Sequence, residues 1–167
     1  TARVVKEVEA SRAVHYSDFV DEGDWFDTVH FAKFTQKGDG LGERMKNAFA
    51  DAFDKGFAKV VIVGSDCYEL DPLIIGNAFV ALDEHDAVIG PAKDGGYYLL
   101  GMKACYESLF ENKNWGTEDV FLDTLLCLKK LGLTYKVLDT LTDVDHEEDL
   151  GELRSLLEEM NTLGGDD

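Results

Sequence analysis

Positive charge is scarce in this chain. Sixteen Lys and Arg stand against 34 Asp and Glu in 167 residues, a net charge of −18. Such a surface repels nucleic acid and anionic lipid and leaves no basic face for counterion release, so nucleic-acid and membrane-surface partners are set aside. A phosphorylated substrate stays compatible only if backbone N–H groups, one or two local cations or a divalent metal hold it. Placed carboxylates therefore gain interest. Cysteine is also sparse: Cys67, Cys105 and Cys127 are odd in number, widely spaced and without a CxxC pair, which suggests neither a disulfide framework nor a zinc site. A reducing cytoplasm fits this usage. No apolar run approaches the roughly 18 residues of a membrane span, and no signal-peptide pattern opens the chain. The expectation is a soluble, cytoplasmic protein, of a length that suits one domain with a proper core. Nothing here implies an oligomeric state.

What is present alternates. "AVHYSDFV" (13–20) and "TVHFAKF" (28–34) are rich in β-branched and aromatic residues, and "KVVIVG" (59–64) is a short apolar run suited to a sheet buried on both faces. "LGERMKNAFADAFDKG" places Leu41, Met45, Ala48, Phe49, Ala52 and Phe53 on one helical stripe, with Gly56 as its stop. "DPLIIGNAFVALDEH" predicts a helix capped by Asp71 with Pro72 in its first position. "DAVIGPA" and "GYYLLGMK" are the next strands, joined by the turn "KDGG". A helix "TEDVFLDTLLCLKKLG", a strand "TYKVLD" and an acidic amphipathic helix from about His146 to Met160 complete the series. The order predicts a three-layer α/β domain with a mixed, mainly parallel sheet, residues 59–64 in its interior, and helices on both faces. The opening "ARVVKEVE" reads as the end of a helix, so a first βα unit is expected to be lacking from the sequence.

Ligands of such sheets bind beyond the carboxyl ends of the strands. Asp66, after the apolar run and Gly64, would stand there and could hold a phosphate-bound Mg²⁺ or Mn²⁺. It could equally make a local turn. Cys67 has no locally paired His and is not read as a nucleophile. In "LTDVDHEEDL", Asp143 and Asp145 could complete a metal site opposite Asp66, although Asp145 followed by Glu148 also has capping-box spacing. "KGDGLGERM" leads glycines Gly40 and Gly42, with Leu41 between them, straight into a helix, where N–H groups could meet an anion. "PAKDGGYYLLG" sets Asp94, Gly95 and Gly96 beside two tyrosines, at a place where backbone could touch a sugar or base. As a plain turn it needs no ligand.

The order GDGLGERM, VVIVGSDC, GPAKDGGYYLLG, NWGTEDV, LTDVDHEEDL, spanning about residues 38–150, resembles the bacterial glycosyltransferase-like family known as radical-SAM/selenodomain-associated transferases. That family is a divergent, GT-A-like form of the nucleotide-diphospho-sugar transferase fold, also used by nucleotidyltransferases such as molybdenum-cofactor and phospholactate guanylyltransferases. The resemblance implies one such domain over residues 1–167, with Asp66 and Asp145 as catalytic metal ligands for Mg²⁺ or Mn²⁺. It also implies that Gly40, Leu41, Gly42, Asp94, Gly95 and Gly96 lie near nucleotide or sugar, and that Trp115 and Thr117 lie on the acceptor side. A strand and loop of the "PGxxKTR" type, which opens members of that family and would hold the donor phosphates, has no match here. The expected function is a metal-dependent transfer from an NDP-sugar donor. The alternatives are nucleotidyl transfer from an NTP with release of pyrophosphate, and a non-catalytic nucleotide-binding module.

Overall fold

The structure, a computed structural model, describes residues 1–141. Asp143, Asp145 and the expected helix 146–160 lie outside the described residues. The elements run α1 (Ala2–Lys6), β1 (Ala13–Tyr16), β2 (Ala32–Thr35), α2 (Leu41–Asp54), β3 (Val60–Val63), α3 (Pro72–Glu84), β4 (Ala87–Pro91), β5 (Tyr97–Met102), a 3-10 turn (Glu107–Leu109), α4 (Val120–Lys130) and β6 (Tyr135–Val137).

The expected α/β layering is present. The main sheet has the order β3-β5-β4-β6, and β1 and β2 form a separate parallel pair. β3 and β4 each pair antiparallel with β5, and β6 pairs parallel with β4. Three of the four strands therefore point the same way and β5 alone opposes them, a mixed sheet. One expectation is corrected: among the described residues, 59–64 contributes an edge strand, not an interior one. The short turn after β4 sends β5 straight back, and β5 then takes the central place, pairing with β4 on one side and β3 on the other.

Side-chain alternation builds the layers. Val61, Val63 and Val88 face a core shared with α1 and α3 that includes Leu70, Ile75, Ala78 and Leu82. Val60, Ile62, Ala87, Ile89, Leu100 and Met102 face the opposite core, with Phe49 of α2, Leu109, Phe110 and Leu128 of α4. The period of two breaks once, where the register slips between Gly90 and Pro91 and leaves Tyr98 unopposed. This bulge puts both Tyr98 and Leu99 into the first core, and the Tyr98 hydroxyl donates to the Asp139 carbonyl at 3.1 Å.

Helix starts follow local chemistry. The Asp71 carboxylate accepts from the Ile74 N–H at 2.8 Å with Pro72 in the first turn, the cap its sequence predicts. α2 closes with the Gly56 N–H on the Phe53 carbonyl at 2.9 Å. Leu41 departs from its expected buried stripe and is 52% exposed, because it is the first residue of α2 and clears the sheet. β1 and β2 are shorter than expected. Between them Asp21 accepts from the Gly23 N–H, Asp24 from the Phe26 N–H and Asp27 from the His30 N–H. These side-chain turns capture backbone donors that a longer ladder would need.

Candidate functional site

Asp66 lies where the sequence places it, beyond the carboxyl end of β3. The last rung of that ladder is the Gly64 N–H on the Tyr98 carbonyl at 2.9 Å. Next, the Ser65 hydroxyl donates to Asp66 Oδ1 at 2.9 Å, and the Ser65 carbonyl accepts from the Thr1 hydroxyl at 2.6 Å. The Asp66 side chain is exposed, with Cys67 buried directly behind it. Because β5 opposes β3, this same sheet end carries the start of β5 and the turn that precedes it.

In that turn Asp94 Oδ1 accepts from the Gly96 N–H at 2.8 Å, while the Gly95 N–H reaches the Ala92 carbonyl at 3.1 Å. Gly95 has φ +89°, and a Cβ there would stand 2.1 Å from the Glu118 carbonyl oxygen, so only glycine fits. The Gly95 carbonyl in turn accepts from the Phe121 N–H at 3.0 Å. The turn is thus clamped onto the start of α4, which delays that helix to Val120.

The third segment arrives from α2. Its N-cap is Gly40, with no side-chain cap; the first N–H groups of a helix have no intrahelical acceptor and carry the positive end of its dipole. The loop before it is folded back by two side chains: Glu43 accepts from the Asp39 N–H at 2.9 Å, and Arg44 Nε donates to the Gly38 carbonyl at 2.9 Å. Gly42 is buried, and a Cβ on it would lie 2.3 Å from Trp115 Nε1. The Trp115 ring also meets Tyr97 edge-on at 6.4 Å. Gly42, Trp115, Tyr97 and Gly95 therefore form one connected group at the end of the sheet that Asp66 occupies.

Trp115 is a wedge between α2 and β5, and Thr117 is exposed, its hydroxyl donating to the Asn114 carbonyl at 2.8 Å. The Tyr97 hydroxyl is buried and has no hydrogen-bond partner among the described residues. Burial pushes its pKa well up; its neighbour Thr124 spends its own hydroxyl on the Val120 carbonyl at 2.8 Å. Among the described residues no group of three His, Cys, Asp or Glu is placed to hold a metal ion. Asp66 offers one exposed carboxylate, which suits an ion such as Mg²⁺ that takes one or two carboxylates and completes its shell with water and phosphate oxygens. Asp145 lies outside the described residues. Sequence reasoning missed the parts of Glu43, Arg44 and the Glu118 backbone, whose only signal was the unbroken GERM and TED spelling beside the glycines.

A family model described as an uncharacterized protein conserved in bacteria, DUF2064, matches residues 1–117. The chain belongs to the DUF2064 family. Over 121 residues this DUF2064 chain is 31% identical to the 2-phospho-L-lactate guanylyltransferase of Methanocaldococcus jannaschii, a match covering 71% of this chain and 51% of that protein. The protein of the same name from Methanocaldococcus sp. strain FS406-22 matches equally, at 31% identity with 50% of its length covered. The chain spans about half the length of these curated relatives. A solved structure from Desulfovibrio desulfuricans G20, described as a "putative nucleotide-diphospho-sugar transferase", superposes with a TM-score of 0.79 at 32% identity, over 86% of this chain and 64% of that one. The DUF2064 chain therefore has the nucleotide-diphospho-sugar transferase-like fold, as its motif order implied. No helix among the described residues is long and apolar enough to cross a membrane.

Proposed function

We propose that this chain carries the nucleotide-binding face of a metal-dependent transferase that takes an NDP-sugar donor. The supporting observation is the gathering of the uncapped start of α2, the Asp94–Gly96 turn and the exposed Asp66 carboxylate at one end of the main sheet. In open α/β sheets that end is where ligands lie. Asp66, with Asp145 as the second ligand, would hold Mg²⁺ or Mn²⁺, which when bound neutralises the diphosphate leaving group.

The chain's own groups supply the rest. The N–H groups of Leu41 and Gly42 present the positive end of α2 to an anion, which compensates for the poverty in cations. Gly95 and Gly96 are half-buried and lack side chains, so a sugar or ribose can pack close to their backbone, whose N–H and C=O groups are bonded within the turn and to α4. Trp115, fixed between Gly42 and Tyr97, holds the two binding segments in one relative position, and the exposed Thr117 hydroxyl stands on the acceptor side. A second reading, nucleotidyl transfer from an NTP with release of pyrophosphate, is favoured by the activity named for the two Methanocaldococcus relatives.

Calorimetric titration of the wild type, Asp66→Asn and Asp145→Asn with NDP-sugars and GTP, with and without Mn²⁺, tests both. Mn²⁺-dependent binding is expected in the wild type and is expected to fall at least tenfold in each variant. Their thermal unfolding should stay at or slightly above the wild-type midpoint, because two carboxylates that shared a metal would repel each other without it. Binding of GTP but not of NDP-sugars selects the second reading. Wild-type affinity in both variants overturns the shared metal, returns Asp66 to an ordinary turn and leaves Asp145 as a helix cap, a role asparagine fills about as well as aspartate. Absence of nucleotide binding by the folded wild type would overturn both readings and the nucleotide-binding module with them.

A further inference from the structure

A small cavity lies between the β1–β2 pair and α2, lined by His15, Thr35, Lys37, Arg44, Asn47, Ala48 and Asp51, with room of about 10 Å³, one water-sized group. Its surroundings invert the charge of the protein. Lys37 and Asp51 pair at 2.8 Å. Arg44 spends its guanidinium on neutral acceptors, the Gly38 carbonyl at 2.9 Å and Gln36 Oε1 at 3.2 Å. Lys55 stands over the Phe34 ring at 4.3 Å, and the same ring lies 5.3 Å from the His15 imidazole. Neither Arg44 nor Lys55 has a carboxylate within ion-pair distance among the described residues, in a chain with more than twice as many acids as cations.

After Asp51 offsets Lys37, two cations remain without a carboxylate partner among the described residues: Arg44 in the cavity wall, and Lys55, which stands outside that wall and acts on the half-buried His15 imidazole; no hydrogen bond to the ring is seen among the described residues. We propose that His15, Lys37, Arg44 and Lys55 form an anion site for a dianion of the phosphate class, one oxygen seated in the cavity and the rest at its mouth. The charge count favours a dianion over a single carboxylate, which would leave one cation unmatched. Asn47, whose amide donates to the Lys37 carbonyl at 2.8 Å, fixes the backbone that carries the lysine.

The ligand would also recharge His15. Burial first, then the positive charge of Lys55, lowers its pKa; Asp51 opposes this and Lys37 adds to it. Both effects favour the neutral imidazole in the free protein. A bound dianion favours imidazolium, so ligand binding must raise the His15 pKa, and the affinity for the dianionic form, taken apart from the ligand's own second ionisation, must rise as pH falls through that range. The site shares Arg44 with the loop that leads into α2 but requires no nucleotide.

Proton NMR titration of the His15 ring in inorganic phosphate, in sn-glycerol 3-phosphate and in chloride at matched ionic strength tests the proposal. Both phosphates are expected to raise the midpoint, with saturation, and chloride is expected not to. Lys55→Gln, at the exposed end of α2, should weaken phosphate binding at least tenfold while the main-sheet resonances stay in place. In His15→Gln the phosphate affinity should follow only the ligand's own second ionisation between pH 5.5 and 7.5, whereas the wild type should hold its affinity to lower pH. Tighter binding of the phosphomonoester would identify an organic phosphate as the occupant; equal binding would identify the free ion. An equal shift in chloride, or unchanged phosphate affinity in Lys55→Gln, would overturn the site.

Discussion

Ile89 and Leu100 pair across β4 and β5 and are at most 1% exposed, whereas His15 and Phe34 pair across β1 and β2 with Phe34 36% exposed and a lysine above it. The two sheets stand on different forces. The main sheet is apolar on both faces and buried between helices, so hydrophobic burial and close packing hold it. The small pair is tied down by polar contacts: Lys33 is nearly buried and bonds Asp24 at 2.9 Å, Tyr16 donates to Asp24 at 2.7 Å, and Lys6 and His30 converge on Asp27. One half of the molecule should therefore respond to lost volume and the other to lost charge.

The largest effect is expected from a hole in the main core. Phe49 is fully buried between Phe110 and Phe53, at ring distances of 5.7 and 6.4 Å. Phe49→Ala should cost about 3–5 kcal/mol in urea unfolding. Phe34→Ala in the small sheet, which loses a half-exposed ring and its cation contact, should cost about 1 kcal/mol. Equal costs would erase the distinction drawn between the two sheets.

Acid sharpens it from the other side. Hydrogen bonds from Lys6 and then His30 hold Asp27 far below the usual carboxylate range, and Lys37 lowers Asp51. Asp24 is pushed up by burial, but Lys33, Tyr16 and the Phe26 N–H more than offset this. Folded-state values below the unfolded one mean that the contribution is complete above about pH 4 and is lost as pH falls through the lower folded values. The urea midpoint should drop from pH 5 to pH 2.5, and less steeply in Asp27→Asn than in wild type. Phe49→Ala should keep the wild-type slope from its lower starting point. An unchanged slope in Asp27→Asn would show that the carboxylates of the small sheet are not the acid-sensitive groups.

The smallest effect concerns a single polar contact in the helical layer of the main sheet. Asp71→Ala should cost about 1 kcal/mol and Asp71→Asn only a few tenths, read from the same unfolding curves. A loss comparable to that of Phe49→Ala would mean that local caps matter as much as packing even there.

The same contrast explains what the sequence reveals. Asp71 with Pro72, the apolar runs of β3 to β5 and the stripe of α2 act through short-range rules or through burial on both sides, and each is legible as a pattern. The position of Asp66 after Gly64 follows from the same strand logic. β1 and β2 are misjudged in length because Asp21, Asp24 and Asp27 bond to nearby N–H groups, a competition that strand composition does not register. The edge position of β3 depends on where β5 returns, a choice between neighbours that lie far apart along the chain. His15 and Arg44 sit on two elements and share no motif, so their meeting in the wall of one cavity has no linear trace.

The Gly42–Trp115 contact has a practical side. The chain has two tryptophans, and they occupy opposite environments: Trp25 is 88% exposed, while Trp115 is half-buried against Gly42 and Tyr97. Their fluorescence should separate, with Trp25 emitting at longer wavelength and being quenched first by a soluble collisional quencher. Trp25→Phe would leave a single emitter wedged between α2 and β5. Its spectrum would then report directly on the junction of the two glycine segments, without any added dye.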